Sequence, residues 1–212
     1  KKNYVTIVRG KRISVVDQLT WMTRALQICD SLEILPGSKA KKSTKLEELK
    51  RIVNEQAPHR KIVVFSRFKT MTHIITRELA QFRPIHLNGD TPTDIHKKGN
   101  RQEIIDKFQT DEKHRVFVAT LGAGGVGITL TAADLVIFYD RWWSPSMNLQ
   151  AADRLHRIGQ KNTVIVVNLR VKDSVEERVE RVWLEKQALV ESMVGDEKAI
   201  GKMAREELEK LI

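Results

Sequence analysis

Gln150, Arg154 and Arg157 form a closely spaced polar group. Residues 147–157 read as a helix, and residues three or four apart on a helix share a face. The three side chains then make a row of one amide and two guanidinium groups. A guanidinium is a planar, permanently charged donor fork that matches phosphate oxygens. Placed on a phosphoryl group in transfer, one such arginine raises the rate by about 10³–10⁵, roughly 4–7 kcal/mol of barrier. A solvated helix with an Asp153–Arg157 ion pair has the same spacing, so the row alone leaves both readings open.

Three nearby patterns imitate other chemistry. Gly122-Ala123-Gly124-Gly125-Val126-Gly127 spells GxGxxG after an apolar run, with Asp140 further on. A dinucleotide site needs a crossover helix, and parallel strands need about 10–12 residues to make one. Only Ile128 to Asp134 separates Gly127 from the next apolar run, so that reading is set aside. Asp111-Glu112-Lys113-His114 spells DExH but precedes a strand, where it cannot reach a metal at a strand's carboxyl end. Gly195 to Lys202 resembles a P-loop, yet it has the wrong glycine spacing and follows a helix. A P-loop lysine and a metal-binding aspartate are what hold a nucleoside triphosphate with its magnesium. The chain is expected to hydrolyse none alone, and no metal site is expected in it.

The elements that must position these residues alternate. Short apolar runs at 62–65, 84–87, 116–119, 135–139 and 164–169 read as strands buried on both faces. Helical spacing appears at 14–35, 46–58, 71–79, 97–109 and 147–157, and again from Asp173. Alternation of this kind means an α/β fold with a central parallel sheet covered on both sides. Pro36-Gly37 closes the first helix, and the lysine-rich stretch from Ser38 to Lys45 reads as a linker. Three parts are expected: a helical segment and basic linker over 1–58, the sheet lobe over 59–172, and a helical extension over 173–212.

Bulk composition narrows the classes. The 212 residues are 41% hydrophobic and 30% charged, with a net charge of +10. No apolar run approaches the roughly 18 residues of a membrane span. Residues 1–115 carry 24 Lys and Arg against 13 Asp and Glu, while 116–212 carry 13 against 14. A basic excess confined to one half points to a polyanion partner. The single cysteine, Cys29, allows no internal disulfide and is expected in the core. The start, Lys1-Lys2-Asn3-Tyr4, reads like an excised fragment without a signal peptide, so an intracellular setting is expected.

The whole stretch ATLGAGGVGITLTAADLVIFYDRWWSPSMNLQAADRLHRIGQ, Ala119 to Gln160, resembles the fifth and sixth helicase motifs of the Swi/Snf family. IVVFSRF at Ile62–Phe68 resembles the fourth motif. HLNGDTP, followed by a helix with Arg101, Ile105 and Phe108, resembles the segment after it. LQICDSL near Leu26 and KDSVEERV at Lys172–Val179 resemble the flanking helices. The likeness runs in family order over about residues 15–190.

The resemblance implies a RecA-like three-layer lobe, the second of two in an ATP-driven double-stranded DNA translocase. ATP with magnesium would be held mainly by the first lobe of the same parent chain. Arg154 and Arg157 would face that ATP, with Arg157 nearest the γ-phosphate and Gln150 orienting them. Gly125 and Gly127 would let backbone approach the nucleotide. Ser66, Arg67, Gly89, Asp90, Thr91, Thr120 and Gly122 would meet one DNA strand through phosphates, and Trp143 would pack beside the finger helix. The alternative is a stand-alone nucleic-acid-binding module. The compact stretch from Arg83 to Thr120 lacks the long insertion of many eukaryotic remodellers, which implies a bacterial, viral or atypical member.

Overall fold

Six consecutive residues, Lys61–Ser66, have almost no exposed surface. They form the central strand of a five-stranded sheet. The computed structural model describes residues 4–8, 11–15, 18–40, 42–94, 96–124, 128–142 and 145–192. Its strands are β1 (Tyr4–Val8), β2 (Lys11–Val15), β3 (Lys61–Ser66), β4 (Ile85–Leu87), β5 (Val116–Thr120), β6 (Ala133–Phe138) and β7 (Ile165–Asn168). Its helices are α1 (Gln18–Asp30), α2 (Thr44–Gln56), α3 (Lys69–Glu78), α4 (Arg101–Thr110), α5 (Leu121–Gly124), α6 (Pro145–Ala152) and α7 (Val175–Ser192).

Two compact units result. One runs over Ser43–Trp142 and Ser146–Leu169 and contains the sheet, in the order β4-β5-β3-β6-β7. All four pairings are parallel. The expected parallel α/β lobe is therefore present, with all five strands where the apolar runs placed them. Phe65, Phe108, Phe117 and Phe138 fill the core beside Leu87, Leu130 and Leu155. Each such side chain contributes about 1.5–3 kcal/mol on burial.

The unit begins earlier than the expected boundary at residue 59. Helix α2 belongs to it, because Leu46, Leu49 and Val53 line one buried face. Ser43 caps that helix by accepting the Leu46 N–H at 3.2 Å. Lys45, read as linker, is instead buried in the first turn of α2. Helix α4 starts at Arg101, later than expected. Gly99 takes a left-handed φ of 72°, and Asn100 caps the helix through the Glu103 N–H at 3.0 Å. At the other end of α4 the buried Lys61 ammonium donates to the carbonyls of Phe108 (2.5 Å) and Asp111 (3.0 Å). The first is a carbonyl that the helix end leaves open, and the second also accepts the His114 N–H at 3.2 Å. Burial pushes the Lys61 pKa below the ordinary lysine range.

The second unit holds an antiparallel hairpin of β1 and β2, together with α1 and α7. The hairpin occupies a stretch expected to lead into a helix, and α1 starts only at Gln18. Helices α1 and α7 pack together, burying Met22 and Leu26 on one and Val179 and Val182 on the other. Cys29 is only half-buried, not a core thiol. None of the described helices is long and apolar enough to cross a membrane.

One histidine gives the sheet lobe an acid-sensitive joint. The Thr72 hydroxyl donates to the Lys69 carbonyl at 2.7 Å, so His86 Nε2 must be the donor in its 2.9 Å bond to that oxygen. Burial, with His73 and Lys69 nearby, pushes the His86 pKa down to about 4. An unfolded histidine titrates near 6.5. The native state therefore resists a proton that the unfolded chain accepts, and stability falls as pH drops from about 6.5 toward 4. We expect the melting temperature to drop between pH 7.5 and pH 5, and to drop less in His86→Gln. Equal acid losses in the two proteins would contradict this.

Candidate functional site

In an all-parallel sheet every strand ends at the same edge, and ligands of open α/β sheets bind outside that edge. The candidate DNA contacts gather there. Ser66 ends β3, Asn88 follows β4, Thr120 ends β5, and Asp140 to Trp142 follow β6.

The arginine row is not on a helix face. Helix α6 ends at Ala152, and Arg154 and Arg157 lie in the turns beyond it. The Asp153 N–H still bonds four residues back, to Leu149 at 2.9 Å, and beyond it the one such bond is a long His156–Ala152 contact at 3.4 Å. Leu155 N–H then bonds only three residues back, to Ala152 at 3.0 Å. Tertiary bonds account for the break. The Arg154 carbonyl accepts from Leu130 N–H at 2.9 Å, and the Leu155 side chain is buried. Gly159, at φ 104°, turns the chain back. The Gln160 side-chain amide lies 2.8–3.3 Å from the carbonyls of Thr131, Ala133 and Leu155. Gln160 is the brace of this turn, a role its place in the motif did not reveal. Arg157 is exposed, and its guanidinium donates to the Thr129 hydroxyl at 3.1 Å. Arg154 is half-buried, and Gln150 is exposed on α6.

A second constellation joins the ends of β3 and β6. Asp140 is 1% exposed. Its carboxylate accepts from the Ser66 hydroxyl at 2.5 Å and from Arg67 N–H at 2.7 Å. Burial pushes this carboxyl up from its ordinary range, while Lys45 and the two hydrogen bonds pull the other way. The Lys45 ammonium sits 5.0 Å above the Tyr139 ring. The Tyr139 hydroxyl is 3.3 Å from the Ser43 hydroxyl. Arg67 places its guanidinium 4.9 Å from both the Phe68 and Trp142 rings, within cation–π range. Asn148 of α6 holds Trp142 from both sides, accepting its N–H at 3.2 Å and donating to its carbonyl at 2.8 Å.

These contacts sort the expected phosphate donors. Ser66 is wholly buried and spends its proton on Asp140, so it has no donor to offer. The Arg67 guanidinium remains at the edge, half-buried. The Asp90 N–H is taken by the Asn88 side chain at 2.8 Å, and its carboxylate pairs with Lys69. That pairing holds the Asp90 pKa below the usual carboxylate range. Thr91 accepts the Asn88 N–H at 3.1 Å, and Thr120 accepts the Ala123 N–H at 3.3 Å. Gly89 and Gly122 are exposed with open space around them. Gly125, Gly127, Trp143 and the segment 195–202 lie outside the described residues. Asp111 accepts the Lys113 N–H at 2.8 Å in a turn after α4, as expected for a DExH look-alike. Asp140, Lys45, Asn148 and Gln160 were not singled out as site residues; only burial reveals the first two.

The fold and this edge define a helicase-type second lobe. The chain belongs to the helicase conserved C-terminal domain family, which it matches over residues 44–159. Within it, the chain is a RecA-like C-terminal lobe of the Swi/Snf type. It is 28% identical to the Sulfolobus solfataricus SWI2/SNF2 ATPase C-terminal domain, with a TM-score of 0.62, covering 92% of this chain and 79% of that one. It is 33% identical over 192 residues to the DNA repair protein RAD5 of Saccharomyces cerevisiae, covering 85% of this chain and 16% of that protein. It is 40% identical over 153 residues to an uncharacterized ATP-dependent helicase of Mycoplasma genitalium, MG018, covering 72% of this chain and 14% of that protein. The chain thus spans only about a seventh to a sixth of the length of these two relatives.

The turn geometry makes one direct forecast. A Cβ on Gly159 meets nothing within 4 Å, so substitution there tests backbone conformation alone. Gly159→Ala should lower unfolding free energy by about 1–3 kcal/mol, read from the urea midpoint. An unchanged midpoint would mean the turn needs no positive φ.

Proposed function

We propose that this chain is the second motor lobe of an ATP-dependent double-stranded DNA translocase, acting on intracellular DNA. The observation that carries this is Arg157: an exposed guanidinium on a turn braced by Thr129, Gly159 and Gln160. Permanent charge, a fork of donors and a rigid base are what a phosphoryl group in transfer demands. ATP and its magnesium fit this chain from one side only. Arg157 and Arg154 would meet the phosphates, Gln150 would help orient them, and Gly125 and Gly127 would allow close backbone approach. The P-loop lysine and metal-binding acid must come from the first lobe of the parent chain. Bound there, ATP supplies the phosphoryl transfer to water that drives the motor.

The carboxyl edge of the sheet offers phosphate contacts that read no bases. Arg67 supplies a guanidinium. Thr91 and Thr120 use their oxygens as acceptors, which leaves each hydroxyl proton unspent among the described residues. Gly89 and Gly122 offer unobstructed backbone, and Lys69 adds charge beside Asp90. A grip of this kind suits movement along any sequence. Closure of the two lobes on ATP, and their opening after hydrolysis, would then alternate the hold on the backbone.

In the parent protein, Arg157→Ala should cut DNA-stimulated ATP hydrolysis by about 10³-fold or more while ATP binding is largely kept. Steady-state turnover and nucleotide titration measure the two separately. Near-normal turnover in a folded variant would remove Arg157 from the reaction.

A further inference from the structure

The basic excess of residues 1–115 is only partly used by the contacts at the carboxyl edge. Arg67 stands there against its two rings, and the Lys69 charge is shared with Asp90. Other cations of the lobe are matched as well. Lys50, Arg51, Arg60, Arg77 and Arg115 each lie no farther than 3.8 Å from a carboxylate. Lys97 and Lys98 differ. Both are exposed, and neither has an ion-pair partner among the described residues.

The loop that carries them leads from β4 to α4. In a parallel sheet such a loop, and the start of the helix that returns, lie at the carboxyl edge. The Pro92 carbonyl accepts the Arg101 N–H at 2.9 Å, which closes the loop on itself. Within it the Lys97 backbone is held on both sides. Its N–H donates to the Asp94 carbonyl at 3.1 Å, and its carbonyl accepts from the Asn100 backbone at 3.2 Å and side chain at 2.9 Å. The left-handed Gly99 makes the bend between them. The carboxylates of the loop are engaged elsewhere. Asp90 pairs with Lys69, Asp94 accepts the His96 N–H at 3.0 Å, and Glu103 accepts the Gly99 N–H at 2.6 Å. Two lysines thus stand in solvent on a fixed base.

The sheet order sets this loop in a row with the other edge contacts. Arg67, Thr120 and Thr91 follow the neighbouring strands β3, β5 and β4 in turn, at about 4.8 Å per strand. The lysines continue the row at its β4 end. We propose that Lys97 and Lys98 bind phosphates of the duplex, extending the grip past the hydroxyl and backbone contacts of the β4 loop. An ammonium is a point charge with rotatable donors, so it holds a phosphate without reading a base. The inference rests on the translocase reading above.

The test measures affinity of the full parent protein for duplex DNA by fluorescence anisotropy, from about 50 to 200 mM salt. Each neutralised phosphate steepens the plot of log affinity against log salt by about 0.9. Lys97→Gln with Lys98→Gln should therefore flatten that plot by about 1.8. Binding at the lower salt should weaken about ten-fold or more, equally on two duplexes of unrelated sequence. Lys107→Gln with Lys113→Gln is the control. It removes two exposed, unpaired charges from the opposite edge, where α4 ends and β5 begins, and should leave the slope unchanged. Equal flattening by both pairs, no flattening by the Lys97–Lys98 pair, or a loss confined to one duplex would overturn the proposal and leave the translocase reading intact. A wild-type parent whose duplex binding ignores salt would overturn both.

Discussion

Strand β3 is the constraint on which the lobe depends. It is buried along its whole length and has a parallel neighbour on each side, so whatever it positions for a ligand lies just beyond its carboxyl end. Parallel neighbours must finish at that same edge, and the loops that follow them are gathered there whatever their sequences. Asp140 fastens this arrangement by joining the end of β6 to the first residues beyond β3. A site assembled in this way draws on four loops far apart in sequence.

The arginine turn is built on the same logic of a rigid base with an open tip. Leu155 is buried, the Leu130 N–H holds the Arg154 carbonyl, and Gln160 draws the outgoing chain toward the start of β6. Arg157 and Ile158 project from this base into solvent. Two arginines on a regular helix would share a face of that helix. On a braced turn their directions are set by tertiary bonds instead, and the half-buried Arg154 and exposed Arg157 have different surroundings. A charge aimed at a phosphate gains from being fixed before the phosphate arrives.

The strands were legible in the sequence because burial on both faces leaves a continuous apolar signature, as in Ile62-Val63-Val64-Phe65. The GxGxxG look-alike could be dismissed for a related reason: too few residues remain before β6 for a crossover helix. The hairpin β1–β2 was not legible, since KRISV is short and its apolar residues merge with the helical spacing that follows. The end of α6 was hidden as well. Gln150 to Arg157 contains no glycine or proline, so local preference favours helix, and only bonds from Leu130 and Gln160 overrule it. Lys45 looked like one lysine of a polar stretch, and Asp140 like a strand-end acid. Their burial depends on the packing of α2 over Tyr139, which no local pattern records.

Arg157 is proposed to stabilise a phosphoryl group in transfer rather than bound ATP. Affinity for a transition-state mimic, ADP with aluminium fluoride, tests that difference most directly in the DNA-bound parent protein. Wild type should bind the mimic far more tightly than Arg157→Ala, by about 10²-fold or more, with equal affinity of the two for ATP. Mimic affinity unchanged in Arg157→Ala, or lost in step with ATP affinity, would remove Arg157 from that role.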